Sequence, residues 1–144
     1  MSCFASVLDR RRMRIEYANA GHTFPFVAHR DPGASWNIES LAARGPLLGS
    51  DSELHLELHR RDVSPGDLVC WFSDGLTERQ APDGRLWGER RLEAALRSGL
   101  GKAAAGGDPP VTLLGEIRAT VAGFAGEAER LDDMTVVIGE VARS

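Results

Sequence analysis

Leu68-Val69-Cys70-Trp71-Phe72-Ser73-Asp74-Gly75 is the stretch on which the reading of this chain turns. An apolar run opens after the turn Ser64-Pro65-Gly66-Asp67 and closes on Asp74-Gly75, which reads as a buried central strand ending in an acidic turn. A second segment has the mirror order. Leu131-Asp132-Asp133 leads into the apolar run Met134-Thr135-Val136-Val137-Ile138. Two carboxylates brought by buried strands to one rim of a sheet make half a site for a hard divalent cation such as Mg²⁺ or Mn²⁺. On spacing alone a plainer reading stands beside it: Asp74 caps a short helix at Leu76, and Asp132-Asp133 is a solvated turn before an edge strand.

Upstream, the pattern alternates in strand fashion. Residues 4–8 read as a strand, Arg10-Arg11-Arg12 with Arg14 as a solvated hairpin tip, and residues 13–18 as the returning strand. Residues 24–29 make another strand, closed by the turn Asp31-Pro32-Gly33, and residues 36–41 return from it. Arg44-Gly45-Pro46-Leu47-Leu48-Gly49 reads as a loop with a fixed backbone path. Residues 53–59 then alternate, with Leu54, Leu56 and Leu58 on one face and His55, Glu57 and His59 on the other. On a strand, His55 and His59 are separated along the exposed face, which argues against the zinc pair that a helical i, i+4 spacing would make.

Downstream of Asp74 the pattern turns helical. Residues 76–79 give a single helical turn, and residues 88–97 present Leu92, Ala95 and Leu96 on one face. Residues 99–107 are small and glycine-rich and predict a surface loop. Asp108 then caps a helix with Pro109 at its first position, which is expected to bury Leu114, Ile117, Val121 and Phe124 and to end near Gly126. The last strand is expected over residues 134–141. No internal repeat or interior boundary is visible, so residues 1–144 are expected to form a single domain.

The totals exclude several classes. A chain of 144 residues that is 42% hydrophobic and 26% charged has the composition of a globular protein able to bury a core. A net charge of −4 with no basic stripe argues against nucleic acid as the main partner. No apolar run approaches the roughly 20 residues of a membrane span. At the N-terminus an apolar segment precedes the charge of Asp9-Arg10, the reverse of a secretory signal. Cys3 and Cys70 make no disulfide framework and are expected to be buried thiols of a cytoplasmic protein.

Taken in order, a set of motifs resembles the PPM-type metal-dependent serine/threonine phosphatases, and within them the bacterial SpoIIE-type branch. These motifs are Tyr17-Ala18-Asn19-Ala20-Gly21-His22, Gly45-Pro46-Leu47-Leu48-Gly49, Pro65-Gly66-Asp67-Leu68-Val69 and Trp71-Phe72-Ser73-Asp74-Gly75-Leu76-Thr77-Glu78. Gly88-Glu89-Arg90-Arg91-Leu92 and Asp132-Asp133-Met134-Thr135-Val136-Val137 complete the set, which covers nearly the whole chain. The resemblance implies a layered α/β fold, a β-sandwich flanked by helices in an α-β-β-α arrangement. It also implies two Mn²⁺ or Mg²⁺ ions that share a bridging water and act on phosphoserine or phosphothreonine. Carried over by motif, Asp74 and Asp132 look like ligands to one ion. Asp133 supports them without touching the metal, and Gly75 permits the sharp turn. His22 stays open between a packed turn histidine and a substrate contact.

The resemblance also implies that such a domain begins earlier. A Gly-Asp-aromatic-aromatic-Asp motif and a Gly-Asp-Val-x-Gly-His-Gly motif precede the equivalent of Met1 in the family, and one of those aspartates bridges the two ions. The chain is therefore expected to be the C-terminal portion of a domain, holding at most one ion weakly and showing little or no phosphatase activity alone. One sheet is expected to lack its helical cover and to favour self-association. The substrate implied is a phosphoprotein of sigma-factor signalling, of the anti-sigma-factor antagonist type. The alternatives are a non-catalytic binding module in the same partner-switching signalling and a gene remnant without independent role.

Overall fold

The computed structural model describes residues 1–30, 33, 35–50, 55–129 and 132–142. Asp31, Pro32, Asp51 and the first residues of the expected strand at 53–59 lie outside the described residues. Among the described residues, seven strands and three helices follow in chain order. They are β1 (Cys3–Asp9), β2 (Arg14–Ala20), β3 (Phe26–Arg30), β4 (Trp36–Ser40), β5 (His59–Asp62), β6 (Leu68–Phe72), α1 (Asp74–Thr77), α2 (Gly88–Ala103), α3 (Pro109–Ala125) and β7 (Val136–Glu140). Two antiparallel sheets result, one ordered β1-β2-β5 and the other β4-β3-β6-β7. This is the layered α/β architecture that the resemblance implies, with α2 and α3 packed on the four-stranded sheet.

β6 decides the layering because both of its faces are covered. Leu68, Cys70 and Phe72 point into a core shared with Trp87, Leu92, Leu96 and Leu100 of the α2 region and with Leu113, Ile117 and Val121 of α3. Val69 points the other way, into a second core formed with Ile15 and Tyr17 of β2, Val27 of β3, and Leu41, Val63 and Val141. The four-stranded sheet is thus sandwiched between helices and the three-stranded sheet. That double burial explains the unbroken apolar run at 68–72.

Several expectations shift. α2 runs on to Ala103, so the glycine-rich loop expected at 99–107 is largely helix. Gly99 and Leu100 are buried against α3, and that packing outweighs the roughly 1 kcal/mol that a glycine costs inside a helix. On α3 the buried stripe is Leu113, Ile117, Val121 and Ala125, whereas Leu114 is 38% exposed and Phe124 is only half-buried. Phe124 instead carries the Arg91 guanidinium, 4.6 Å from its ring centre. The Asp108 cap forms as expected, its carboxylate accepting from Val111 N at 3.0 Å.

The strand expected at 53–59 forms further along the chain, as β5, and shares only His59 with the expected span. Tyr17 lies opposite His59 and Glu16 opposite Arg60, the His59 ring stacks on Tyr17 at 5.5 Å, and Arg60 Nε donates to Glu16 at 2.9 Å. These contacts favour the polar run over the alternating leucines, and Leu56 and Leu58 are exposed. Cys70 is buried as expected; Cys3, at the start of an edge strand, is exposed. The arginine tip is a turn held by Asp9, whose Oδ1 accepts from the backbone N–H of Arg11 and of Arg12, each at 3.0 Å. Among the described residues no helix is long and apolar enough to cross a membrane.

Candidate metal centre

β6 and β7 run antiparallel with Phe72 opposite Val136, so the end of one strand and the start of the other share a rim. Asp74 leaves β6 at that rim as the first residue of α1, and Asp132 lies shortly before β7. The two acidic turns touch. A Cβ placed on Gly75 would lie 2.4 Å from the carbonyl oxygen of Asp133 and 3.4 Å from Cβ of Asp132, so only glycine allows this approach. Ser73 N donates to the Thr135 carbonyl at 3.0 Å, Ser73 Oγ donates to the Asp133 carbonyl at 3.2 Å, and Thr135 N donates to Ser73 Oγ at 3.0 Å.

Each carboxylate is tied to its own turn. Asp74 Oδ1 accepts from Gly75 N at 2.9 Å, and Asp132 Oδ1 accepts from Asp133 N at 2.7 Å. Both side chains are exposed, so water can reach them. The donor set, carboxylate oxygens, is hard and suits Mg²⁺ or Mn²⁺ rather than a thiolate- or imidazole-seeking metal. Among the described residues no group of three or more His, Cys, Asp or Glu side chains forms a metal cage. The residues present therefore fit part of the ligand set of one ion.

The Asn19-Ala20-Gly21-His22 turn belongs to the same rim. The buried Asn19 amide donates to the carbonyls of His22 at 2.9 Å and Ala43 at 2.8 Å, and its oxygen accepts from His22 N at 2.9 Å. Gly45 packs so closely on this turn that a Cβ would fall 2.1 Å from the Asn19 carbonyl oxygen. Thr23 Oγ1 then donates to the Phe72 carbonyl at 2.7 Å, joining the turn to the end of β6. His22 is half-buried and lines a cleft of about 340 Å³ with Phe4, Thr23, Trp71, Ser73 and Thr135.

Three contributors escape sequence reasoning. Asn19 supports a loop 24 residues away, and a lone amide gives no hint of that. Ser73 bonds to Thr135, 62 residues on, which its neighbours in the sequence do not reveal. Arg79 donates from both terminal nitrogens to the carbonyls of Ala128 and Glu129. It also lines, with Gly75, Glu78 and Asp132, a cleft of about 330 Å³ beside the acidic turns.

An antiparallel sandwich with two helices on one sheet is a fold shared with solved PP2C phosphatase domains, which match it along nearly the whole chain. The SiaA-PP2C domain of Pseudomonas aeruginosa superposes with a TM-score of 0.73 at 19% identity, over 96% of this chain and 51% of that one. The RsbU and RsbW domains of Rv1364c from Mycobacterium tuberculosis give a TM-score of 0.74 at 22% identity, over 99% and 38% respectively. Protein IcfG of Synechocystis sp. is 23% identical over 134 residues, 93% of this chain and 19% of IcfG. The family model of stage II sporulation protein E matches residues 1–142. The chain belongs to the SpoIIE family. It spans about half the length of the SiaA domain and a smaller share of the other two.

Proposed function

We propose that this chain supplies the C-terminal part of a metal-dependent serine/threonine phosphatase domain. Its substrate would be a phosphorylated signalling protein of the anti-sigma-factor antagonist type. The observation that carries this reading is the contact between the two acidic turns, with Gly75 seated on the Asp133 backbone at the rim shared by β6 and β7. Asp74 and Asp132 would hold one Mn²⁺ or Mg²⁺. When bound, a divalent ion supplies Lewis-acid activation of water and neutralises charge on the phosphoryl oxygens. The chain's own residues orient these carboxylates. The N–H groups of Gly75 and Asp133 fix one oxygen of each, and the Ser73–Thr135 bonds keep the turns abreast. Asp133 acts through its backbone carbonyl beside Gly75, and His22 lies in the adjoining cleft, where a phosphopeptide could reach it.

The test is Mn²⁺-dependent phosphate release from a phosphoserine-bearing antagonist protein. The enzyme would be a protein that joins this chain to the aspartate-bearing strands expected before it. Release should disappear in Asp132→Ala. Release that ignores Mn²⁺, or survives that substitution, would sink the reading. The same assay on the 144-residue chain alone should give little or no turnover. A non-catalytic binding module is the second reading, favoured by the small donor set among the described residues. It predicts binding of the antagonist protein with no Mn²⁺ affinity that depends on Asp74 or Asp132.

A further inference from the structure

A serine just before a helix ordinarily turns its hydroxyl back onto the N–H groups of the first turn. Ser73 does not. It holds the N-cap position of α1 with extended backbone, φ −86° and ψ 158°, and makes no side-chain cap bond. The register that pairs Phe72 with Val136 sets Ser73 opposite Thr135. In a regular antiparallel ladder such a pair exchanges two backbone bonds. Here only one is a backbone bond, Ser73 N to the Thr135 carbonyl at 3.0 Å. The Ser73 carbonyl is taken by α1, accepting from Leu76 N at 3.1 Å. Thr135 N turns instead to Ser73 Oγ at 3.0 Å, and the same hydroxyl donates to the Asp133 carbonyl at 3.2 Å.

We infer that the Ser73 hydroxyl is a positioning group for the metal ligands. It takes the place of the ladder bond that β6 gives up when its chain enters α1, and so keeps the Asp132 turn in register with the Asp74 turn. The inference rests on the metal reading above. Ser73 is half-buried and the Asp133 side of the bond is open to water, so solvent can replace much of the lost bonding when the hydroxyl is removed. Removal should therefore disturb the alignment of the carboxylates far more than the stability of the fold.

The experiment compares Mn²⁺ binding by the full chain, read from the loss of the free-ion EPR signal, in wild type, Ser73→Thr, Ser73→Val and Asp132→Ala. Thr and Val share a shape and differ by the hydroxyl. Thermal unfolding of each variant reports the fold. Ser73→Thr should bind Mn²⁺ within about twofold of wild type. Ser73→Val should bind roughly tenfold more weakly, the lower end for groups that orient metal ligands, with melting close to that of Ser73→Thr. Two results overturn the inference while leaving the metal reading intact, provided that wild type still differs from Asp132→Ala: Val binding like wild type, or Thr failing like Val. Wild type titrating like Asp132→Ala overturns the metal reading, and the role of Ser73 with it.

Discussion

The two sheets of this protein are built from similar alternating strands and end in different circumstances. The four-stranded sheet is covered on both faces, by α2 and α3 on one side and by the second core on the other. Among the described residues, the three-stranded sheet buries chiefly the face that carries Ile15 and Tyr17. Its other face sets Ala5 and Val7 of β1 beside Ala18 and Glu16 of β2, and Val7 is 66% exposed. The charged group Arg14–Glu16–Arg60 interrupts that face. The acidic rim belongs to the covered sheet. Carboxylates that shared one ion, as proposed above, would gain from strands locked on both sides.

The largest effect should come from the helical cover. Leu92 is fully buried, and Leu92→Ala should cost about 3 kcal/mol in denaturant unfolding, whereas Val7→Ala on the open face should stay within about 0.5 kcal/mol. Equal losses would erase the contrast between the sheets. Gly75→Ala should come next. Its methyl would meet the Asp133 carbonyl, a clash expected to cost about 1–3 kcal/mol as the turns part. Mn²⁺ affinity should fall with it, and an unchanged titration would mean that the close approach is dispensable.

The two thiols sharpen the contrast chemically. Burial pushes the Cys70 thiol up to about 12, while Cys3 is exposed. A thiol reagent at pH 8 should label one cysteine of the native chain rapidly, and both only after unfolding. Because the folded value lies above the unfolded one, the protonated thiol favours the folded state. That contribution is complete below the unfolded value near 9 and is lost as pH climbs toward about 12. Rapid native labelling of Cys70 would show that the helical cover opens readily. The smallest change in stability should accompany Val7→Lys, which should leave melting nearly unchanged and reduce any self-association seen by light scattering. Association that survives it proceeds through another surface.

Much of this was readable in advance. The boundaries of β6, the Asp108 cap and the buried faces at Leu92 and Ile117 follow from patterns carried within a few neighbouring residues. The misreadings have a common cause. Leu113 rather than Leu114 is buried, α2 absorbs Gly99 and Gly101, and β5 selects His59 over the leucines before it. In each case a partner from elsewhere in the chain, whether another helix or a strand edge, chose among residues that the local pattern left nearly equivalent. In the candidate site, the carboxylates stood out beside their apolar runs, whereas Asn19, Ser73 and Arg79 did not. Their hydrogen bonds reach 24, 62 and 50 residues along the chain.

The sequence by itself determined the element types, the family motifs and the two acidic turns, because turn chemistry and hydrophobic period act over a handful of residues. Only the tertiary structure decided that these turns touch, that Gly75 is needed where they do, and that a serine hydroxyl stands in for a ladder bond. Those facts depend on the register of β6 against β7, which is fixed by burial on both faces of β6 and written in no single stretch of the chain.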